Sequence, residues 1–324
     1  MRSRLVAAGA VLLAVIAGSP HPAAVAPPAR AIRIGVLFPD TPAARAPMLE
    51  ALREGLREQG YVEGRQLALD VRFAENREDR LPALAAELVR APVDVLVTGG
   101  TTPTAAAQRA TATIPIVMVG VGDPLARGFV ASFDRPGGNI TGSSDALPDT
   151  TEQRFQLLKE ALPGVTRVAY VHNAAVTSTA AAEAAARRLG LTLQPLDVRA
   201  AADVDRALRA VRLGRPDALV VVPNPVTFAA RHRFARLGLL DGVAVVFGWR
   251  EFMDADGLMA YGANLRTLYR RAAIQVDQIL NGRSPAELPV ERPRLQLVIN
   301  LRTARALGVT VAPSVLSVAD DVIQ

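Results

Sequence analysis

The residues of this chain whose types and spacing suit ligand chemistry gather where an apolar run gives way to a turn. The clearest case is Thr98-Gly99-Gly100-Thr101-Thr102-Pro103-Thr104, which follows Val95-Leu96-Val97. An apolar run of this kind suits a parallel strand covered on both faces. Two glycines allow a sharp turn and a close approach by another molecule. Thr101 or Thr102 is then expected to cap a helix, with Pro103 at its first helical position. The free N–H groups of such a helix, together with the threonine hydroxyls and Gly100, suit a carboxylate, another small anion or a hydroxylated solute. An ordinary strand-to-helix turn is the alternative.

Other turns of the same kind hold the remaining candidates. Thr41 follows the first apolar strand pattern. Asp123, before Pro124, either accepts a hydrogen bond from a ligand ammonium or hydroxyl or closes its own loop as an Asx turn. In the second half the matching positions hold His172-Asn173, Asn224 between two prolines, and Trp249-Arg250. Asparagine donates and accepts at once, which suits neutral polar groups. Trp249, the one tryptophan, either stacks on a planar solute or packs beneath its loop. Arg250 either forks onto a ligand carboxylate or bridges to Glu251 or Asp254. Tyr261, before Gly262, either touches the ligand or packs at a crossing between lobes.

Several chemistries are without support. The chain has no cysteine, which removes disulfides, thiolate catalysis and thiolate metal sites. Its three histidines, His21, His172 and His232, do not stand at ligand spacing, so no metal and no cofactor are expected. No Gly-x-Ser-x-Gly elbow occurs, and no Gly-x-Gly-x-x-Gly follows the first strand. The expectation is a protein that is not an enzyme.

The elements that must position these turns alternate regularly. Strands are expected at Ile32 to Phe38, Leu67 to Phe73 near a sheet edge, Val93 to Val97 and Ile114 to Val119. In the second half they are expected at Arg167 to Val171, Leu191 to Val198, Ala218 to Val222, Val243 to Phe247, Leu258 to Tyr261 and Leu295 to Asn300. Helical stripes lie between them, such as Met48, Leu52 and Leu56, or Leu268, Ala272, Val276 and Ile279. The run Arg135-Pro136-Gly137-Gly138-Asn139-Ile140-Thr141-Gly142 is dense in turn formers and is expected to be the first crossing between lobes. The fold class is therefore α/β, with two doubly wound parallel-sheet lobes and a hinge. Lobe 1 is expected to take residues 32–145 plus 264–290, and lobe 2 residues 146–263 plus 291–324. Ligands bind outside the carboxyl ends of strands in such sheets, so the turns of both lobes are expected to share one cleft.

At 324 residues with 50% hydrophobic content the chain has ample core for two lobes. Arg2 and Arg4 precede an apolar run from Leu5 to Ala17, followed by small residues and prolines. The run is too short to span a bilayer, and residues 1–26 read as a secretory signal peptide cleaved near Ala24-Val25-Ala26, with an uncleaved membrane anchor as the alternative. The net charge of +6 falls to +4 without Arg2 and Arg4, and the basic residues are interspersed with acidic ones. No nucleic-acid partner is expected.

Several stretches in order resemble the substrate-binding proteins of bacterial ABC transporters, of the type I periplasmic-binding fold, in the subfamily that includes aromatic amino-acid binders. They are Gly55 to Gly64, Leu81 to Val89, Ile114-Pro115-Ile116-Val117, Gly122-Asp123-Pro124, Arg135 to Gly142, Gly257 to Gly262 and Leu297 to Ala304, and together they span nearly the whole chain. The resemblance implies a periplasmic receptor, acting as a monomer, that closes on a small-molecule solute and presents it to an inner-membrane permease. Two departures stand out. Many members carry a lipid on an N-terminal cysteine, and this chain has no cysteine. Gly248-Trp249-Arg250-Glu251 stands where comparable amino-acid binders place acidic or hydroxyl groups, so solute identity does not carry over. A secreted sensor domain of the same fold is the nearest alternative, and a doubly wound enzyme a more distant one.

Overall fold

A computed structural model of the chain describes residues 31–146, 150–175 and 179–324. The expected signal peptide lies outside the described residues. Everything described belongs to one compact unit.

The first half builds a five-stranded parallel sheet from β1 (Ile32–Phe38), β2 (Leu67–Phe73), β3 (Val95–Gly99), β4 (Ile116–Gly122) and β5 (Ile140–Ala146). Their order is β2-β1-β3-β4-β5. Between the strands run α1 (Pro42–Glu58), α2 (Leu81–Arg90) and α3 (Thr101–Ala110). β1, β3 and β4 are almost wholly buried, as continuous apolar strands covered on both faces must be. β2 alternates and is half-buried, because it is an edge strand.

The second half begins with α4 (Thr150–Ala161) and continues through β6 (Arg167–His172), α5 (Ala180–Arg188), β7 (Thr192–Asp197), α6 (Ala201–Gly214) and β8 (Ala218–Val221). After α7 (Pro225–Ala229) and α8 (Arg231–Asp241) come β9 (Ala244–Phe247) and β10 (Met259–Gly262). The chain ends in α9 (Leu265–Leu280), β11 (Gln296–Asn300), α10 (Leu301–Leu307), α11 (Pro313–Ser317) and β12 (Asp321–Ile323). The seven strands of this sheet run in the order β12-β11-β10-β9-β8-β6-β7.

α9 does not stay with the second sheet. Its buried face, Leu268, Ala272 and Val276, packs on α1 and β4 of the first half. Arg270 of α9 pairs with Glu58, and Tyr61 donates to Asp277 at 2.9 Å. The chain therefore passes between the lobes three times: after β5, between β10 and α9, and again before β11. Next to the last passage Glu291 exchanges backbone bonds with Gly142 and Ser144 of β5.

Three local expectations are corrected. The turn-rich run ending at Gly142 is not the crossing itself. Its last residues enter β5, which pairs with β4 through Ile116 with Ile140 and Val117 with Thr141. The density of Gly and Pro concealed the strand, and glycine is there because a Cβ at Gly142 would lie 1.9 Å from Met118 O. Second, β10 and β11 pair antiparallel, so the second sheet is mostly but not wholly parallel. The chain leaves the sheet at Gly262, passes through α9 and returns at the same end, with Gln296 beside Gly262. Third, α3 is capped by Gly100 rather than by a threonine, with φ at +89° and Pro103 two residues into the helix. A turn this tight needs glycine at the cap position itself.

Candidate functional site

The loops at the carboxyl ends of the strands meet across a cleft of about 330 Å³, within the size range of small-molecule sites. The first lobe contributes Arg45, Glu78, Gly99 to Thr102, Gly120, Gly122, Asp123 and Asp145. The second contributes Thr150, Thr151, Arg154, Tyr170, Asn173, Ala181, Ala182, Val222 to Pro225 and Trp249.

On the first wall, the turn after β3 is held rigid. Thr104 Oγ1 bonds both Thr98 Oγ1 at 2.8 Å and Gly100 O at 2.7 Å. Thr101 Oγ1 accepts from Gly122 N at 3.3 Å, which ties the start of α3 to the end of β4. Glu78, on a short 3-10 turn before α2, faces Thr102, and partial desolvation at the cleft raises its carboxyl above the ordinary value, against the pull of Thr102. Asp123 closes its loop through Ala126 N at 3.1 Å, with φ at +44°. It closes its own loop three residues on, rather than two as an Asx turn does, and lines the cleft as well.

Asp145 was not singled out by sequence. It sits where the β4–β5 register slips, since Ser144 faces Val121 and Ala146 faces Gly122. Such a bulge leaves one residue out of the ladder and re-aims its side chain. Asp145 Oδ2 accepts from Trp249 Nε1 of the opposite lobe at 3.0 Å. Burial pushes its pKa up to about 6, against the opposing pull of Trp249 and Arg154.

On the second wall, Trp249 is 7% exposed and packs with Phe228 and Phe252, with ring centroids 6.3 and 5.8 Å away. It is a packing residue that also faces the cleft. Asn224 caps α7: its Oδ1 accepts from Thr227 N at 3.0 Å while Thr227 Oγ1 accepts from Asn224 N at 2.9 Å. Its Nδ2 is buried without a partner. Asn173 turns its Oδ1 onto Ala175 N at 2.9 Å. Tyr170 is clasped between Phe155, edge-on at 5.9 Å, and His172, stacked at 5.5 Å. Arg154 comes from the buried face of α4 and is 4% exposed. Its Nε donates to Tyr261 O at 2.8 Å and its Nη2 to Gly248 O at 3.4 Å. Burial lowers its pKa.

Of the residues expected from sequence, Gly100, Thr101, Thr102, Asp123, Asn173, Asn224 and Trp249 line the cleft. Thr41, His172, Arg250 and Tyr261 do not. Thr41 caps α1 through Ala44 N at 3.3 Å. His172 is buried at the end of β6 against Tyr170. Arg250 pairs with Asp321 at 2.6 Å, not with Glu251 or Asp254, because β12 adds a strand beside it that sequence reading had not anticipated. Tyr261 is half-buried in β10 and offers its carbonyl to Arg154.

Arg45 and Arg154 were missed, although a signal existed. Arg45 precedes Met48, Leu49 and Leu52 at helical spacing, and Arg154 precedes Leu158 and Ala161 in the same way. An arginine on an apolar stripe points inward. Arg45 is neutralised by a buried pair with Asp40, and its guanidinium lies 5.6 Å from the Phe228 ring of the other lobe.

No helix among the described residues is long and apolar enough to cross a membrane. Residues 34–323 match the family described as ABC transporter substrate binding protein. A tyrosine-binding protein of Clostridioides difficile is 23% identical over 270 residues, covering 81% of this chain and 77% of that protein. A conserved domain protein from Vibrio cholerae O1 biovar eltor superposes with a TM-score of 0.84 at 28% identity, over 90% of this chain and 100% of that one. An ABC domain in complex with L-Trp from Streptococcus pneumonia gives 0.83 at 24% identity, again over 90% and 100%. The fold is the type I periplasmic-binding architecture, and with the match extending over almost every described residue, the chain belongs to the ABC transporter substrate-binding protein family.

Proposed function

We propose that the protein is the extracytoplasmic solute-binding component of an ABC-type uptake transporter, that it holds an amino acid in the interlobe cleft, and that aromatic amino acids are the leading class. The observation that carries this reading is the composition of the cleft. Carboxylates and N–H donors for the two charged ends of an amino acid stand beside an apolar wall of Tyr170, Val222, Pro223 and Trp249. The tyrosine-binding relative and the neighbour holding L-Trp favour the same class. Gly100, Thr101, Thr102, Asp123, Asn173, Asn224 and Trp249 are the proposed contacts from the original candidates, joined by Asp145, Arg154 and Tyr170.

Closure follows from the three passages between lobes. A solute that touches both walls only when they approach shifts the population toward the closed state. A cleaved leader, delivery to an inner-membrane permease, monomeric action and the absence of catalysis belong to the same reading.

The test is a thermal-unfolding screen of the purified protein over proteinogenic amino acids, sugars and carboxylic acids, followed by small-angle scattering. L-tryptophan or L-tyrosine at one hundred times its dissociation constant should add about 2.7 kcal/mol of stability, and the radius of gyration should shrink on saturation. A screen in which aromatic amino acids leave the transition unmoved rejects the solute class. An unchanged radius at saturation rejects the closure.

A further inference from the structure

Resting on the amino-acid reading above, we propose that Arg154, with the side-chain amide of Asn224, takes the carboxylate of the bound solute. The acidic end of the ligand would therefore lie on the second lobe and its ammonium on the first.

Arg154 is a buried cation with no described carboxylate in ion-pair contact. Its bonds go to two main-chain carbonyls, Tyr261 O and Gly248 O. These leave Nη1 without a hydrogen-bond partner among the described residues, and the side chain lines the cleft. Asp145 acts on it electrostatically, but that carboxylate is held by Trp249. A buried guanidinium left in this state is costly unless an anion completes it.

Asn224 supplies a second, independent sign. Its residue is 7% exposed, its Oδ1 is committed to the cap, and its Nδ2 is buried and unpartnered on the same wall. Orphaned buried donors are rare and call for a cause. Both residues line the cleft, and the Arg154 fork and Pro223, next to Asn224 in sequence, crowd the same glycine: a Cβ at Gly248 would meet Pro223 Cγ at 2.2 Å and Arg154 Nη2 at 3.2 Å. One planar acceptor with two oxygens suits a guanidinium edge and an amide N–H side by side.

The competing anion site is the start of α3, which sequence alone had favoured. Glu78 faces Thr102 there, and Asp123 is on the same wall. A second carboxylate would be repelled, whereas an ammonium would be welcome.

The test compares L-tryptophan with L-tryptophanamide and tryptamine by calorimetry on the purified protein. The amide keeps the ammonium and the ring and loses only the anion. Wild type should bind the acid about 30- to 100-fold more tightly than either analogue, as charge-assisted bonds of this kind predict. In Arg154→Gln the acid and the amide should bind alike, both weakly. Should that variant fail to fold, Arg154→Lys keeps the charge without the fork and should shrink the acid-to-amide ratio about tenfold. Equal binding of acid and amide by wild type, or an unchanged ratio in either variant, overturns the assignment and leaves the amino-acid reading standing. If wild type binds none of these compounds nor their tyrosine counterparts, the reading and the assignment fall together.

Discussion

The two walls of the cleft are built on one plan and carry opposite chemistry. Each is a parallel sheet whose strand ends turn into helices, and on each a pair of threonines opens a helix, Thr101-Thr102 in α3 and Thr150-Thr151 in α4. The first wall presents Glu78, Asp123 and Asp145, and its one arginine is already neutralised by Asp40. The second presents Arg154, the amides of Asn173 and Asn224, and the aromatic surface. Architecture repeated by two lobes thus does not fix function. The side chains placed at equivalent ends do, and their opposition orients a ligand that has two charged ends.

Predictions that break or sharpen this contrast run from large to small. Each sheet has a glycine with backbone pressed against it, Gly142 in β5 and Gly262 in β10. A Cβ at Gly142 would lie 1.9 Å from Met118 O, and one at Gly262 would lie 1.7 Å from Gly248 O. Gly142→Ala and Gly262→Ala should each cost about 3 kcal/mol or more, seen as loss of soluble protein or a large fall in Tm. If either is tolerated, the two sheets are not held as tightly as described.

Asn224→Asp puts a negative charge on the donor wall and keeps the helix cap, which aspartate serves equally. Affinity for L-tryptophan should drop by at least about 100-fold, close to 3 kcal/mol, measured by calorimetry with Tm little changed. A smaller loss would mean that the walls differ less in charge than their residues suggest.

Asp145 makes the first wall pH-sensitive. Its folded pKa of about 6 lies above the ordinary value of 3.8, so the folded state holds the proton more tightly than the unfolded chain does. The stability this gives is fully present below pH 4 or so and is lost as pH rises through about 6. Asp145→Asn keeps an acceptor for Trp249 and removes the titration. The decline of wild-type Tm between those values, worth about 2 kcal/mol, should be flattened in the variant. A parallel decline in both proteins would assign the effect elsewhere.

Trp249→Phe keeps an apolar ring and deletes the Nε1 bond to Asp145. The closed arrangement should lose about 1–2 kcal/mol, read as roughly tenfold weaker solute binding and a larger radius of gyration without ligand. Arg250→Ala is the contrasting control. Its pair with Asp321 is well exposed on both sides, and the change should cost well under 1 kcal/mol with affinity unaltered.

How much was legible in the sequence follows from what each feature depends on. Strands such as Ile32–Phe38 and helices such as Leu265–Leu280 were legible because their apolar periodicity is a local property. The Gly-Gly turn after β3 and the Asn224 loop were legible because turns carry their own residue signatures. β5 was not, because a strand rich in small and polar residues has no apolar pattern of its own. It is held by pairing with β4 and by Glu291, which is distant in sequence. Arg250 was misread for the same reason, since its partner Asp321 belongs to a three-residue strand without any periodic signal.

The sequence by itself determined the alternation of strands and helices, the two-lobed α/β class, and the fact that candidate polar residues stand at strand ends. These follow from residue preferences over a few neighbours. Only the tertiary structure decided that α9 returns to the first lobe, that a bulge turns Asp145 toward Trp249, and that Arg154 and Asn224 share one wall. Those facts depend on contacts between segments about 70 to more than 200 residues apart, whose energies no local pattern records.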